Sequence, residues 1–90
     1  MSLATVNTTA TLIVDANPNR ISIVFSNNGS PNIYLGPAST VGTAGANAGI
    51  LLVANGTYAE DAGNKGLYSG PFYAIAGSQS STLAYWERTI

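Results

Sequence analysis

The stretch FSNNGSPNIYLG, residues 25–36, decides the fold class of this 90-residue chain. It places a cluster of turn residues, Asn27 to Gly29 followed by Pro31, between two segments in which apolar and polar side chains alternate. In the second segment Ile33 and Leu35 share one face of an extended chain. Alternation of this kind is typical of a half-buried β-strand. The stretch therefore predicts a corner between two strands, and it holds no His or Cys that could form a nucleophilic triad with its serines.

The same alternation extends to both sides of this corner. In RISIVFS, residues 20–26, the side chains of Ile21, Ile23 and Phe25 fall on one face, and Arg20 falls on the other. The segments PFYAIAG and STLAYWER repeat the pattern, whereas no window carries the apolar spacing of an amphipathic helix. Seven or eight short strands at this spacing predict an all-β fold, an antiparallel sandwich of jelly-roll type.

Turn residues between the segments predict how the strands connect. Asn55-Gly56 separates ILLVA from TYAE, and both residues tolerate the positive φ angles of a type I′ hairpin. Residues 77–80, GSQS, join the last two strands, and we expect a slightly longer hairpin loop there. Each pair of strands would then be neighbours in one sheet.

The charge content is the most unusual property of the sequence. Charged residues make up 8% of the chain, compared with about 25% in an average soluble domain. Ala, Gly, Ser, Thr and Asn together supply 50 of the 90 residues. Interface cores are depleted in charge, and a net charge of −1 favours association. The composition therefore predicts a surface largely covered by other subunits, including copies of the chain itself.

Composition also excludes several function classes. The chain has no Cys and no His, so Ser or Cys triads, thiolate metal sites and redox chemistry lack their essential groups. Glu60 and Asp61 are adjacent, and adjacent side chains on a strand point to opposite faces. We predict no catalytic residues and no cofactor. Three basic residues are too few for a nucleic-acid partner, and the N-terminus lacks the features of a signal peptide or membrane span.

A weak metal signal lies in EDAGNKG, residues 60–66. Asp61 and Asn64 supply oxygen atoms suited to calcium, but the spacing is not that of an EF-hand loop. An ordinary solvated turn is the better prediction, and we expect no metal site.

Three segments are candidates for contacts with other proteins. Residues 1–9 form an N-terminal arm before the 10–90 domain, and Leu3 and Val6 are its anchoring side chains. The arm is either a frayed terminus or a segment that adds a strand to a neighbouring protein. A second candidate is the loop from Ser39 to Gly49, whose small side chains would let another chain approach closely. Its proposed contact residues are Val41, Gly42, Thr43, Ala44 and Gly45.

Trp86 is the third candidate. If Tyr85 points to the core, Trp86 lies on the outer face of its sheet, and an outward Trp often marks a protein interface. Exposed aromatic rings also stack on sugars, so a carbohydrate-binding module is the alternative interpretation.

The order of segments from Arg20 to Glu87 resembles a class of small virion proteins of tailed bacteriophages. The pattern comprises RISIVFSN, NIYLG, GILLVANG, FYAIAG and LAYWE, and it covers about three quarters of the chain. The resemblance implies a β-sandwich module of a capsid decoration protein, a head fibre or a tail-associated protein. Since the domain begins at Met1 and ends soon after Arg88, we expect capsid decoration in preference to a longer tail fibre.

The resemblance also implies the partners. A decoration protein would be made in the host cytoplasm and bind the major capsid protein at the surface of the virion. It would cluster with copies of itself, for example as a trimer, and would act without a cofactor, metal, membrane or nucleic acid. A tail-associated adhesion module remains the alternative.

Overall fold

A computed structural model describes residues 2–61 and 68–89. These residues form eight strands: β1 Ser2–Val6, β2 Thr11–Val14, β3 Arg20–Asn27, β4 Ile33–Gly36, β5 Ile50–Leu52, β6 Thr57–Asp61, β7 Phe72–Ala76 and β8 Ser81–Thr89. A single-turn 3-10 helix, Gly45–Asn47, interrupts the connection between β4 and β5.

The strands form two four-stranded antiparallel sheets. Sheet A has the order β1-β8-β3-β6, and sheet B has the order β2-β7-β4-β5. Residues along each strand alternate between inward and outward positions. The inward faces of the two sheets pack against each other. Two four-stranded sheets with these strand orders make a jelly roll. The predicted all-β sandwich of about eight strands is confirmed.

Successive strands mostly belong to different sheets, so the hairpin predictions are wrong. Asn55-Gly56 links β5 of sheet B to β6 of sheet A, and residues 77–80 link β7 of sheet B to β8 of sheet A. Asn55 does take a positive φ of 65°. The Gly56 N–H donates to Val53 O at 2.8 Å, which closes a four-residue turn with Asn55 third. The turn residues specify a reversal of the chain but not the sheet in which the next strand pairs.

The core lies between the sheets and is apolar. Phe25 of β3 meets Phe72 of β7 edge to face, with ring centroids 4.8 Å apart and planes at 63°. Such aromatic pairs add to the stabilisation that burial alone provides. The remaining buried members of this cluster are Val6, Val14, Ile23, Ile33, Leu35, Leu52, Ala74, Ala76 and Leu83.

The N-terminal segment is part of the sandwich. β1 pairs antiparallel with β8 of the same chain, with Leu3 opposite Ala84 and Val6 opposite Ser81. Val6 is completely buried, so its predicted role as an external contact is wrong. Pairing with β8 satisfies the backbone groups on one side of residues 2–6, so this part of the predicted arm is an edge strand of its own domain.

A buried amide holds the corner at the end of β3. The side chain of Asn27 is fully enclosed, and its Nδ2 donates to Pro31 O at 2.8 Å and to Leu52 O at 2.9 Å. Its Oδ1 accepts from Gly29 N at 2.9 Å and from Ser81 Oγ at 3.1 Å. Both amide donors and both acceptor positions are therefore used, and they join β8 to β5 through the corner predicted from the sequence.

The backbone of Asn27 reinforces the same junction. Its N–H donates to Gly56 O at 3.0 Å, and its carbonyl accepts from Asn55 N at 2.9 Å. One residue thus connects the β3–β4 corner, the β5–β6 turn and the start of β8.

A buried guanidinium fixes the other end of β3. Arg20 is 4% exposed, and its Nε donates to Glu87 Oε2 at 2.6 Å. Its Nη1 donates to the carbonyls of Tyr68 at 2.9 Å and Gly70 at 3.0 Å, and its Nη2 donates to Asp15 O at 3.0 Å. The charge is paired and hydrogen-bonded, which is the condition under which a buried ion is tolerated.

The inward position of Arg20 departs from the simple alternation of β3. The register between β3 and β8 shifts between Arg20 and Ser22. A bulge of this kind changes the face on which the preceding residue lies. The guanidinium therefore lies inside the sandwich, 5.3 Å from the centroid of the Phe72 ring.

We predict that Asn27→Ala lowers the free energy of unfolding by about 3–5 kcal/mol, because it leaves several buried partners without hydrogen bonds. The neighbouring Asn28 is exposed, and among residues 2–61 and 68–89 its side chain has one side-chain hydrogen bond, accepted from Ser26 Oγ at 3.3 Å. Asn28→Ala should therefore change stability by less than about 0.5 kcal/mol. Urea denaturation followed by circular dichroism compares the two variants, and equal losses would contradict the role given to Asn27.

Candidate functional site

The structure brings two of the predicted contact residues, Leu3 and Trp86, to one face. Leu3 lies opposite Ala84, and Trp86 lies opposite Val24, so all four side chains project from the outer face of sheet A. Leu3 is 68% exposed and Trp86 is 53% exposed. We call this surface, formed by Leu3, Val24, Ala84, Trp86 and Arg88, the Trp86 face.

The geometry of β8 gives the Trp86 face its chemical character. Tyr85 packs against the core, as expected, and this places the indole of Trp86 outward. Arg88 is two residues further along β8 and is exposed on the same side. Around these residues sheet A carries small hydroxyl side chains at outward positions, namely Thr5, Ser22, Ser26, Thr57 and Thr82. The result is one large aromatic ring, with the exposed Leu3 nearby, on a surface whose other side chains are mostly short.

The loop from Ser39 to Gly49 does not belong to the Trp86 face. It connects β4 to β5 of sheet B, and it is held by its own backbone hydrogen bonds. Gly42 N donates to Asn47 O at 2.8 Å, and Gly49 N donates to Gly42 O at 3.1 Å. Gly42 and Ala48 form an isolated parallel bridge. The loop is therefore an ordered element, and its exposed tip contains Thr43, Ala44 and Gly45.

Val41 anchors the loop and is not an external contact. Its side chain is buried and occupies the space left by Gly36 and Gly49. A methyl group added at Gly36 would lie 2.6 Å from Val41 Cγ2, and one at Gly49 would lie 2.7 Å from the same atom. The prediction that Val41 contacts another protein is therefore wrong, because this side chain fills a site within its own chain.

A second outer face was missed by the sequence analysis. In sheet B, Tyr34 lies opposite both Ile75 of β7 and Leu51 of β5, and Leu12 lies opposite Tyr73. Tyr34, Tyr73 and Ile75 each lie between two buried neighbours, so their side chains project outward. Leu51 and Leu12 lie on the same side, because each is directly opposite one of the two tyrosines. We call this surface, formed by Leu12, Tyr34, Leu51, Tyr73 and Ile75, the Tyr34 face. Each strand contributes only one or two of these residues, so only the strand register reveals the continuous surface.

A cavity of about 480 Å³ lies between the β4–β5 loop and residues Glu60, Tyr68 and Phe72. Glu60 is the one ionisable carboxylate among the described residues that line it. Its Oε2 accepts from Tyr58 Oη at 2.5 Å, and its Oε1 accepts from Tyr68 N at 3.0 Å. Both oxygens therefore have partners within the chain.

The same contacts perturb Tyr58. Partial burial, the hydrogen bond to Glu60 and the negative charge of Glu60 together raise the pKa of Tyr58 to about 12. The neutral phenol is thus maintained across the physiological range. A phenol that keeps its proton at these pH values is a structural donor to Glu60 and is unsuited to act as a base.

Within residues 2–61 and 68–89, no group of three or more His, Cys, Asp or Glu side chains is arranged to hold a metal ion. Most of the weak calcium signal, EDAGNKG, falls in residues 62–67, which lie outside the described residues. In the part of the chain that is described, no helix has the length and apolar character needed to cross a membrane.

Comparisons with protein-family models, with curated proteins and with solved structures found no match to this chain. The candidate surfaces are therefore interpreted from their own geometry and chemistry.

We predict that Gly49→Ala destabilises the fold by about 1–3 kcal/mol, because the added methyl group overpacks this site. That group would collide with the carbonyl oxygen of Leu35 as well as with Val41. Gly42→Ala is the matched control, since its methyl group would lie 3.8 Å from the nearest atoms. The control should be neutral or up to about 1 kcal/mol more stable. Thermal unfolding of both variants checks this, and an unaffected Gly49→Ala would contradict the anchoring of the loop by Val41.

Proposed function

We propose that the chain is a structural protein of a tailed-bacteriophage virion, a decoration protein that binds the outer capsid surface and stabilises the shell through non-covalent contacts. The observation that carries this proposal is the Trp86 face. It presents a half-exposed indole, an exposed Leu and an Arg on the flat side of a sheet. Of these, Trp and Arg are the residue types best suited to anchoring a protein interface.

The anchoring argument rests on how binding energy is distributed. Trp and Arg are enriched among the few interface residues that contribute most of the affinity. The surrounding Ser and Thr side chains are short, so a partner can approach the sheet closely and exclude water around the indole. Arg88 adds one charge at the side of this contact, where charges affect orientation more than affinity.

The segment order supports the virion assignment. The pattern that resembles small phage virion proteins opens with Arg20 and closes near Glu87, and these two residues form the ion pair at the end of β3. The two ends of the pattern are thus joined by a contact on which the fold depends. A jelly roll is a frequent fold of viral capsid and lectin domains, so the fold accommodates the proposal but does not select it.

Stabilisation of a shell requires no chemistry at the surface. Burial of apolar area contributes about 25 cal/mol per Å², reduced by the entropy lost on docking. A decoration protein that contacts neighbouring capsomers, or that binds as a cluster, gains effective concentration at each further contact. Low charge on the decorating surface limits the desolvation cost of many such contacts.

We predict that Trp86→Ala weakens binding to purified empty shells of the encoding phage by about 30-fold or more, the effect of about 2 kcal/mol expected for a hot-spot residue. Thr82→Ala is the matched control, because Thr82 is also exposed on the outer face of sheet A. Its binding should stay within about twofold of wild type. Co-sedimentation with shells measures occupancy, and the single Trp supplies a fluorescence signal for docking.

Leu3→Ser is a second test of the same surface. Deletion of residues 1–9 is unsuitable, since it would remove β1 and the core residue Val6. Leu3 is exposed, so its replacement leaves the core intact. Full occupancy by both Leu3→Ser and Trp86→Ala would contradict the use of the Trp86 face.

A sugar-binding module is the second candidate function, because an exposed indole ring can also stack on a carbohydrate. Nearby Ser22, Ser26 and Arg88 offer hydrogen-bonding groups on the same face. A glycan array with wild type and Trp86→Ala separates the two functions. Specific glycan binding that is lost in the variant, together with no binding to shells, would favour the adhesion role.

A further inference from the structure

The cavity of about 480 Å³ lies beside the edge strands β5 and β6 of the two sheets. Ile50 of β5 lies opposite Leu35, whose side chain is buried in the core. Ile50 therefore points inward, yet it is 44% exposed. Glu60 of β6 lies opposite the buried Ile23 and also points inward. Both side chains line the cavity, so two inward positions of the sandwich face a space that the core does not fill.

Most of the cavity wall is apolar. The core residues Leu35, Val41 and Phe72 contribute to it, and the β4–β5 loop adds mainly Gly, Ala and Pro. The loop also supplies two polar side chains, Thr40 and Asn47. Sites for small ligands typically measure roughly 300–1,000 Å³ and are mostly apolar with a few polar groups. The size and the walls of this cavity therefore suit an aliphatic group.

The carboxylate of Glu60 gives the cavity a negative charge. Its oxygens accept from Tyr58 Oη and Tyr68 N, and both of these donors are neutral. An ionised carboxylate offers about four acceptor positions, so about two remain open. Among the described residues the salt bridge joins Arg20 to Glu87, and no described cation pairs with Glu60. A carboxylate beside an apolar wall favours a cation that brings its own hydrogen-bond donors.

We propose that this cavity binds a primary ammonium group carried on an aliphatic stem, with the ammonium on Glu60 and the stem against the apolar wall. An ammonium group is a compact charge with three donors, so it can use whichever acceptor positions remain. A planar guanidinium pairs best with two carboxylate oxygens that are open side by side, and here each oxygen already accepts one bond. Lysine side chains and free alkylamines share the ammonium chemistry. The proposed site does not depend on the proposed function, because it concerns the purified chain alone.

NMR titration of the isotope-labelled full chain with hexylammonium chloride tests the proposal. We expect saturable shifts of the backbone amide signals of Val41, Ile50 and Phe72, which line the cavity. Hexanol carries the same stem without the charge, and methylammonium carries the charge without the stem. Each should bind more weakly by about 10-fold or more, because each lacks one of the two contributions to affinity.

Glu60→Gln removes the charge but keeps an acceptor for Tyr68 N, and it should weaken hexylammonium binding by about 10-fold or more. Asp15→Asn is the matched control. It removes the same charge from an exposed side chain that does not line the cavity, and salt screens such distant charges, so the affinity should stay within about twofold of wild type. Circular dichroism verifies that each variant is folded.

Ile50→Lys is a second test that leaves Glu60 in place. Its side chain would supply a tethered ammonium group to the cavity, which should compete with the free ligand and weaken its binding by about 10-fold or more. Leu51→Lys adds the same charge at the next position, but Leu51 lies opposite Tyr34 on the outer face of sheet B. This control should bind hexylammonium as wild type does.

N-acetyl-lysine methylamide distinguishes the two sources of the ammonium group. Binding as tight as that of hexylammonium supports the lysine of a protein, whereas binding of hexylammonium alone supports a free alkylamine, and both results uphold the site. The absence of saturable binding at millimolar concentration would overturn the proposal, as would equal affinity for hexanol. Unchanged affinity in either Glu60→Gln or Ile50→Lys would also overturn it. So would binding that appears only in Lys65→Gln, because the chain's own lysine would then be the occupant.

Discussion

The hydrogen bonds of the buried Asn27 side chain are the constraint on which the rest of this sandwich depends. Four bonds from one amide hold together the β3–β4 corner, the end of β5 and the start of β8. At the opposite end of β3, Arg20 joins β8 through Glu87 and holds the segment before β7 through two carbonyls. Every buried side-chain nitrogen and oxygen among the described residues has a hydrogen-bond partner. These two polar clusters fix both ends of β3, while the apolar residues between them form the core that the sheets share.

The fold class could be predicted from the sequence, but the connections could not. Alternation in RISIVFS and NIYLG reflects burial on one side of a strand. The structure confirms this burial for Ile23, Phe25, Ile33 and Leu35. Asn55 adopts the positive φ that its residue type allows, but a turn does not determine which sheet receives the next strand. Strict alternation predicts the wrong face for Arg20, because the bulge before Ser22 shifts the alternation by one residue. Long-range pairing decides both features, and local residue patterns do not encode it.

The candidate surfaces could be predicted where neighbours along one strand decide the position of a side chain, but not where strand pairing decides it. The outward position of Trp86 follows from its strand neighbour Tyr85, so it could be inferred locally. Val6 and Val41 were expected to make external contacts but fill sites inside their own chain. The Tyr34 face escaped the sequence analysis because its residues come from four segments, each of which also carries buried apolar side chains. The scarcity of charge nevertheless predicts surfaces that other proteins cover. The outer faces of the two sheets are the candidates for those surfaces.

The proposed function places the Trp86 face of sheet A against a virus shell. This role follows from one claim, that the neutral outer surface of this domain is covered by other proteins when it functions. A reconstruction of the assembled virus particle tests that claim most directly. The account predicts copies of the chain on the shell, with Trp86 toward the capsid. Particles that lack the chain, or that carry it with the Trp86 face in solvent, would contradict the claim.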